Sequence, residues 1–229
     1  MQSVCVLGRQ AELGLAELES LYGSDQVRPV AGGEVALLDI DPCGLAFSRL
    51  GGSVKLAKVL IILDTVDWEA LERYGLKTIP NHVQHVAQGK FKLGISVHGL
   101  TVSPKRIQAT ALSFKKAIKA TGRNVRIIPN NARQLSSAQV LHNQLTSLTG
   151  WELLFIANGD KTILAQTIKV QDIDAYAARD QARPKRDSRV GMLPPKLAQL
   201  LINLANGQLP KPPVTDKHGT CVPETGAAG

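Results

Sequence analysis

The chain has 229 residues, of which 44% are hydrophobic and 20% are charged, a composition typical of a soluble globular protein. No apolar run is long enough for a membrane span, the first residues lack the pattern of a secretory signal, and three distant cysteines form no CxxC pair. We therefore expect a cytoplasmic protein with no structural zinc and no membrane partner. A net charge of +8 favours a polyanionic partner, and an aromatic content of 4% argues against binding dominated by base stacking.

Residues 1–66 predict a small domain of four strands and two helices. In chain order these are a strand at Ser3–Leu7, a helix at Ala11–Tyr22, a hairpin of Val27–Val30 and Glu34–Ile40, a short helix at Cys43–Leu50 and a strand at Val54–Leu63. The order β-α-β-β-α-β is the ferredoxin-like arrangement. No residue type in this stretch points to chemistry, so we interpret it as a scaffold.

Residues 67–171 predict a second α/β domain. Its elements are a helix at Trp68–Tyr74, a second helix after Pro80, a strand at Phe91–His98, a helix from Pro104 to Ala120, a strand at Val125–Ile128, a helix at Leu135–Leu148, and a hairpin of Trp151–Ala157 with Thr162–Val170. Ser103 followed by Pro104 is a favourable start for a helix, and Gly122 is a favourable stop.

Residues 172–207 predict a charged arm followed by one helix. The arm, 172–189, is too polar and too interrupted by proline to form a core helix. From Pro194, leucines recur at helical spacing up to the expected stop at Gly207, at positions Leu197, Leu200, Leu201 and Leu204. This apolar face has no obvious partner in the chain, so we expect the helix to be loosely held. Residues 208–229 are rich in proline and glycine and predict a linker or disordered tail.

The arm and helix carry a family resemblance. The stretch 176–205 contains GMLPPKLA at 191–198, preceded by Tyr176, Arg179-Asp180, Arg183-Pro184 and Arg186-Asp187 and followed by Asn203-Leu204-Ala205. It resembles the entry segment of the THUMP-containing tRNA guanosine N2-methyltransferases, of the archaeal type and its bacterial relatives. The opening VCVLGRQAELGLAELESLYG resembles the N-terminal domain of the same family, and the second domain, including Gly150-Trp151-Glu152-Leu153, resembles a THUMP domain.

The resemblance implies an α+β protein, with a ferredoxin-like domain, a THUMP-like RNA-binding domain, and the entry helix of a missing or incomplete Rossmann-like methyltransferase domain. It implies that the family enzyme methylates tRNA with S-adenosylmethionine and contacts the acceptor end of tRNA. The glycine-rich turn of type DPFCGTG and the loop of type DPPYG that serve the cofactor and the target amine do not occur in the sequence. We therefore assign no catalytic residue, leave the cofactor-binding residues unknown, and expect no cofactor to bind this chain alone.

Two alternatives remain open. The chain can be a stand-alone RNA-binding module that works with a separate catalytic subunit. It can also belong to a relative that acts on ribosomal RNA or DNA.

The histidines predict no metal site, because His82 and His85, which are three residues apart, lack a partner set and are expected on a solvated helix face.

The interval between Glu72 and Glu152 contains no acidic residue. Because a solvated surface ordinarily mixes both signs of charge, this interval favours the binding of a polyanion over an idle surface. Helical spacing from Pro104 places Lys116 and Lys119 opposite an apolar stripe. Lys55 and Lys58, in the first domain, are expected to matter less. The predicted RNA-binding residues are Lys105, Arg106, Lys115, Lys116, Lys119, Arg123, Arg126 and Arg133.

Overall fold

The computed structural model describes residues 1–183 and 191–206. The predicted tail, the predicted helix stop at Gly207 and the arm residues 184–190 lie outside the described residues. The strands are β1 (Ser3–Leu7), β2 (Val27–Val30), β3 (Val35–Leu38), β4 (Ser53–Leu63), β5 (Phe91–His98), β6 (Val125–Ile127), β7 (Gly150–Asn158) and β8 (Lys161–Val170). The helices are α1 (Ala11–Tyr22), α2 (Trp68–Val83), α3 (Pro104–Ala120), α4 (Ser137–His142), α5 (Ile173–Gln181) and α6 (Pro195–Asn206).

The described strands form one eight-stranded sheet in the order β2-β3-β1-β4-β8-β7-β5-β6. All neighbours are antiparallel except β5, which runs parallel to both β6 and β7. The mixed architecture confirms the predicted α+β class. β4 pairs with β8, so the sheet continues across the predicted boundary at residue 66. The division into two domains stays a prediction.

Four apolar clusters organise the packing around the sheet in the described residues, and the smallest, beside α4, contains Ile128, Leu135, Val140 and Leu145. Helix α1 buries Leu18 and Leu21 against strands β1, β3 and β4. Helices α2 and α3 bury a second cluster against β5, β7 and β8, with Phe114 of α3 and Phe155 of β7 fully enclosed. On the other side of the sheet, Val4 and Val6 of β1 alternate with the α1-facing residues and pack in a third cluster that also takes side chains from β7 and β8.

The second helix predicted in the first domain, Cys43–Leu50, is wrong. Two short 3₁₀ turns, Pro42–Gly44 and Phe47–Arg49, occupy this stretch instead. The Asp41 side chain accepts a hydrogen bond from the Cys43 backbone N–H at 2.9 Å, which closes a tight turn at Pro42. Leu45, Phe47 and Leu50, which lie between and beside the turns, are buried. Their packing stabilises this irregular backbone in place of an α-helix.

Helix α2 runs unbroken through Pro80, whereas the sequence predicts two helices there. Proline in a helix interior removes one backbone hydrogen bond, and it therefore marks a probable break. Here Leu71, Ile79 and Val83 lie on both sides of that position and are all buried in the same cluster. Burial of the continuous apolar face outweighs the one lost hydrogen bond.

Helix α4 is much shorter than the predicted helix Leu135–Leu148. Ser136 and Gln139 form a capping box that starts it, and it ends at His142. Gln144 then adopts a left-handed backbone conformation, with a φ of 55°, and the chain turns into β7. Leu148, the last residue of the predicted helix, lies in the turns after α4 and is 84% exposed.

Part of the arm, 173–181, forms the helix α5, which is mostly exposed and therefore is not the core helix that the polar composition argued against. Asp172 caps it, accepting a hydrogen bond from the Ala175 N–H at 2.8 Å. Tyr176 is buried and its hydroxyl donates to the Gln199 side chain of α6 at 2.8 Å. A polar composition did not prevent a helix, since one capped end and one buried aromatic side chain are enough in this tertiary setting.

Helix α6 packs along α1, so the expectation that this helix lacks a partner in the chain is wrong. Whether it is loosely held stays a prediction. Asn203 is buried and donates to Glu17 Oε1 and to the Arg49 carbonyl, both at 2.7 Å. Glu17 is fully buried and also accepts the backbone N–H groups of Gly51 and Gly52 at 2.9 and 2.8 Å. These buried donors and acceptors are therefore hydrogen-bonded to one another, and the bonds fix the position of α6 along the axis of α1.

Gly51 permits this close approach of α6. A Cβ atom at Gly51 would lie 2.3 Å from the Lys196 carbonyl oxygen, a distance that no side chain tolerates. Only part of the predicted apolar face of α6 packs against the rest of the protein, since Leu200 is buried while Leu201 is 44% exposed. The helical spacing was therefore right, but a buried polar contact shares the packing with the leucines.

Candidate nucleic-acid interface

Helix α3 presents a basic face to solvent. Its capping residue, Ser103, accepts a hydrogen bond from the Arg106 N–H at 3.2 Å, and Pro104 occupies the first turn. The side chains of Ile107, Ala111, Phe114 and Ile118 are buried against the sheet. Lys105, Lys116 and Lys119 are exposed and Lys115 is half-buried, as helical spacing predicts. At 1.5 Å per residue, this helix spans about 25 Å, long enough to follow several nucleotides.

The C-terminal end of α3 borders a cavity of about 670 Å³ that we call the basic cleft. Its lining residues are Gln88, Gly89, Lys90, Lys115, Lys119, Gly122, Arg123, Asn124 and Val125. Four of them are cationic and none is acidic. The structure thus brings three predicted residues, Lys115, Lys119 and Arg123, together with Lys90, which the sequence places in the basic interval but not among the predicted binding residues.

Arg123 has a structural role in the basic cleft. Its Nη1 donates to the Val86 carbonyl at 3.2 Å and its Nη2 donates to the Ala87 carbonyl. The guanidinium therefore fixes the segment that follows α2 and leads to Lys90. Lys119, in the last turn of α3, also complements the partial negative charge of the helix C-terminus.

The remaining predicted residues are spread over other parts of the surface. Arg106 forms a salt bridge with Glu72 at 2.9 Å, so its charge is compensated within the chain. Arg133 lies near the N-terminal end of α3, in an open cavity with Thr101–Pro104, and it donates to the Leu100 carbonyl at 3.5 Å. Arg126 is exposed on the edge strand β6, where it pairs in register with Lys92 of β5. The predicted set is not one site, and its densest part is the basic cleft.

The expectation that Lys55 matters less than the α3 lysines for RNA binding stays a prediction, but the structure gives this lysine a structural role. Its side chain is 4% exposed, and Nζ donates to Glu152 Oε1 at 2.5 Å and to the Leu135 carbonyl at 2.7 Å. Glu152 is also held by the hydroxyls of Ser96 and Thr167, at 2.6 and 2.7 Å. The sequence offered one sign of this buried ion pair, a lysine within the apolar run of β4. Its partner, Glu152, lies 97 residues away, so local spacing could not identify the pair.

The described residues contain no cluster of histidine, cysteine or acidic side chains that could hold a metal ion. Burial raises the pKa of the Cys5 thiol to about 12, so this cysteine is a core residue and cannot supply a thiolate nucleophile near neutral pH. Burial and the nearby Lys55 lower the pKa of His98, whose Nδ1 lies 3.4 Å from a Glu34 carboxylate oxygen. Among the described helices, none has the length and apolar composition to cross a lipid bilayer.

Comparisons with known proteins find similarity in structure only. No family model and no curated protein matches the sequence. TrmN from Thermus thermophilus matches with 16% identity and a TM-score of 0.51, over 90% of this chain and 55% of that one. PH1313 from Pyrococcus horikoshii matches with 12% identity and a TM-score of 0.44, over 75% and 55% of the two chains. A 4-thiouridine synthetase, solved with RNA and ATP, matches with 13% identity and a TM-score of 0.40, over 74% and 41%. The chain therefore shares an α+β fold with TrmN and spans about half the length of that protein.

Proposed function

We propose that this chain is the tRNA-binding portion of a THUMP-containing tRNA guanosine N2-methyltransferase that uses S-adenosylmethionine. The resemblance of the segments around Gly8, Gly150 and 191–198 to that family supports the proposal, and so does the fold shared with TrmN. In this proposal the catalytic domain lies outside the chain, the acceptor end of tRNA is the contacted part, and the protein acts in the cytoplasm.

The one-sign surface of α3 is the observation that carries the proposal. Within the described residues, Lys115, Lys116 and Lys119 make no salt bridge, and no acidic residue occurs from 73 to 151. Unpaired like charges repel one another, so their assembly on one helix and in one cleft costs stability unless a polyanion neutralises them. Phosphate groups of RNA are suitable partners, because shape and backbone recognition requires cations rather than aromatic side chains.

The test is a reversal of charge on the exposed face of α3. We expect Lys116→Glu with Lys119→Glu to weaken tRNA binding at least tenfold, about 1.4 kcal/mol, because attraction to phosphates becomes repulsion. Affinities measured from about 50 to 200 mM salt should fall steeply for the parent and less steeply for the variant. Thermal melting of the variant verifies that the fold is retained.

The matched control reverses two exposed lysines of β8, Lys161 and Lys169, and alters net charge by the same amount. Reversal of Lys161 replaces a surface salt bridge with Asp64 by an exposed like-charge contact, which water and salt screen. We expect this control to bind tRNA nearly as the parent does. Equal binding and equal salt dependence in the parent and both double variants would mean that the α3 face is idle.

The alternatives are separated by two further measurements. Competition with ribosomal RNA fragments and with duplex DNA at one salt concentration distinguishes a tRNA-binding chain from a relative with another substrate. Calorimetric titration with S-adenosylmethionine should show no saturable binding to this chain alone. Saturable binding at micromolar concentrations would place the cofactor pocket within the chain and contradict the proposal that the catalytic domain lies outside it.

A further inference from the structure

A second cavity lies between α2 and the strands β4, β7 and β8, with a volume of about 380 Å³; we call it the apolar pocket. Its lining residues are Lys58, Leu60, Ile61, Tyr74, Thr78, Ile79, His82, His85, Val86, Trp151, Leu153, Leu164 and Gln166. Its size is within the range of pockets that hold small organic groups. Leu60 and Ile61 at its border are 47% and 38% exposed, so this part of the sheet is left uncovered by the described helices.

The chemistry of the lining suits a flat heterocycle. Tyr74 and Trp151 supply aromatic rings, and aliphatic side chains supply the rest of the wall. Gln166 offers both a hydrogen-bond donor and an acceptor, and Thr78 and Lys58 add further polar groups. The Thr78 hydroxyl already donates to the Tyr74 carbonyl at 2.9 Å. An alkyl chain would leave the Gln166 amide and the Lys58 ammonium group without partners, whereas the base edge and phosphate of a nucleotide satisfy them. No lining residue is acidic and Lys58 is cationic, which favours a ligand that carries negative charge.

The linings of the apolar pocket and the basic cleft come within two residues of each other along the chain. Val86 lines the apolar pocket, and Gln88, Gly89 and Lys90 line the basic cleft. The segment that connects them is held from the cleft side by Arg123, which donates to the Val86 and Ala87 carbonyls. The segment 86–90 therefore contributes to both cavities, and Arg123 holds it in place between them.

We propose that the apolar pocket receives the base of one unpaired nucleotide of an RNA whose phosphates lie in the basic cleft. The base stacks against Tyr74 or Trp151, its edge bonds Gln166, and Lys58 attracts the adjoining phosphate. This inference rests on the proposed RNA binding and adds a preference for RNA that carries unpaired nucleotides. It is a single subsite, so it agrees with binding that is mainly electrostatic.

The experiment compares a blunt RNA hairpin with the same hairpin extended by four unpaired adenosines at either end. We expect the parent protein to bind at least one extended hairpin five or more times as tightly as the blunt one. Thr78→Phe fills the apolar pocket with a ring and should abolish this preference while leaving affinity for the blunt hairpin unchanged. Asn81→Phe is the matched control, because Asn81 is exposed on the same helix and does not line the pocket.

Gln166→Leu is the second variant, and it keeps the test valid if Thr78→Phe does not fold. It removes the hydrogen-bonding group with little change in volume and should reduce the preference at least twofold. Equal affinity of the parent for blunt and extended hairpins would overturn the proposal, and so would a preference that both variants retain. Failure to bind any RNA would instead contradict the proposed function, so the two failures are distinguishable.

Discussion

Lys55 and the lysines of α3 show two opposite uses of the same side chain. Lys55 is buried where β4 meets the second half of the sheet, and its ammonium group contacts one carboxylate and one carbonyl. Lys116 and Lys119 are exposed, and within the described residues they have no acidic partner. The first lysine joins two parts of the chain, and the others leave their charge available to a ligand.

The difference teaches that the position of the nearest carboxylate decides what a lysine does. A carboxylate within hydrogen-bond distance, in a site closed to water, turns the charge into a structural contact whose removal is costly. A surface that lacks carboxylates keeps its field and attracts polyanions over distances of about 10 Å at ordinary salt concentration. Net charge alone cannot separate the two uses, and the predictions below test the separation.

The largest expected effect follows from removal of Lys55. Lys55→Met leaves the buried Glu152 without its cation, and we expect a loss of about 3–5 kcal/mol in the free energy of unfolding. Urea denaturation of the purified protein measures it. RNA affinity of the folded fraction should be unchanged, because the basic cleft is not altered.

A double variant, Lys55→Met with Glu152→Gln, provides the control. It removes both charges, so part of the lost stability should return. Unfolding of Lys55→Met at the same urea concentration as the parent would contradict the view that this ion pair is structural. A double variant that is less stable than Lys55→Met would do the same.

An intermediate effect is expected at the contact between α6 and α1. Asn203→Ala removes two hydrogen bonds from buried acceptors, Glu17 Oε1 and the Arg49 carbonyl, and should cost about 1–3 kcal/mol. Hydrogen exchange should show faster exchange of the α6 amides, with α3 unaffected.

Ile202→Ala is the control on the same helix, since Ile202 is 57% exposed and makes little packing contact. It should leave α6 exchange close to that of the parent. Rapid exchange of α6 already in the parent, compared with β6, would show that the helix is not docked on α1 in solution.

The smallest expected effect compares a paired cation with an unpaired one. Lys116→Ala should weaken tRNA binding about threefold, roughly 0.65 kcal/mol, and should reduce the salt slope by about one phosphate contact. Arg106→Ala should change binding less than twofold, because Glu72 already compensates Arg106. A larger loss at Arg106 than at Lys116 would reverse the distinction between the two cations.

The sequence by itself determined the features that depend on neighbouring residues. Strands β1 and β5, helix α1, and helix α3 with its Ser103 cap all follow from local spacing and from capping groups within a few residues. The outward direction of Lys116 and Lys119 follows from helical geometry, and the basic interval can be read directly from the residues. The α+β class follows in turn from the types and order of these elements.

Only the tertiary structure decided what depends on contacts between distant residues. Burial of both ends of α2 carries that helix through Pro80, and Glu152 converts Lys55 into an internal contact. The polar bond from Asn203 to Glu17, across 186 residues, docks a helix that was expected to lack a partner in the chain. Lys90 and Lys119 meet in one cleft because the fold brings the start of β5 beside the end of α3. Helix and strand propensities depend on neighbouring residues, so the sequence reveals them. The partner of a buried charge depends on which distant side chain the sheet places opposite it.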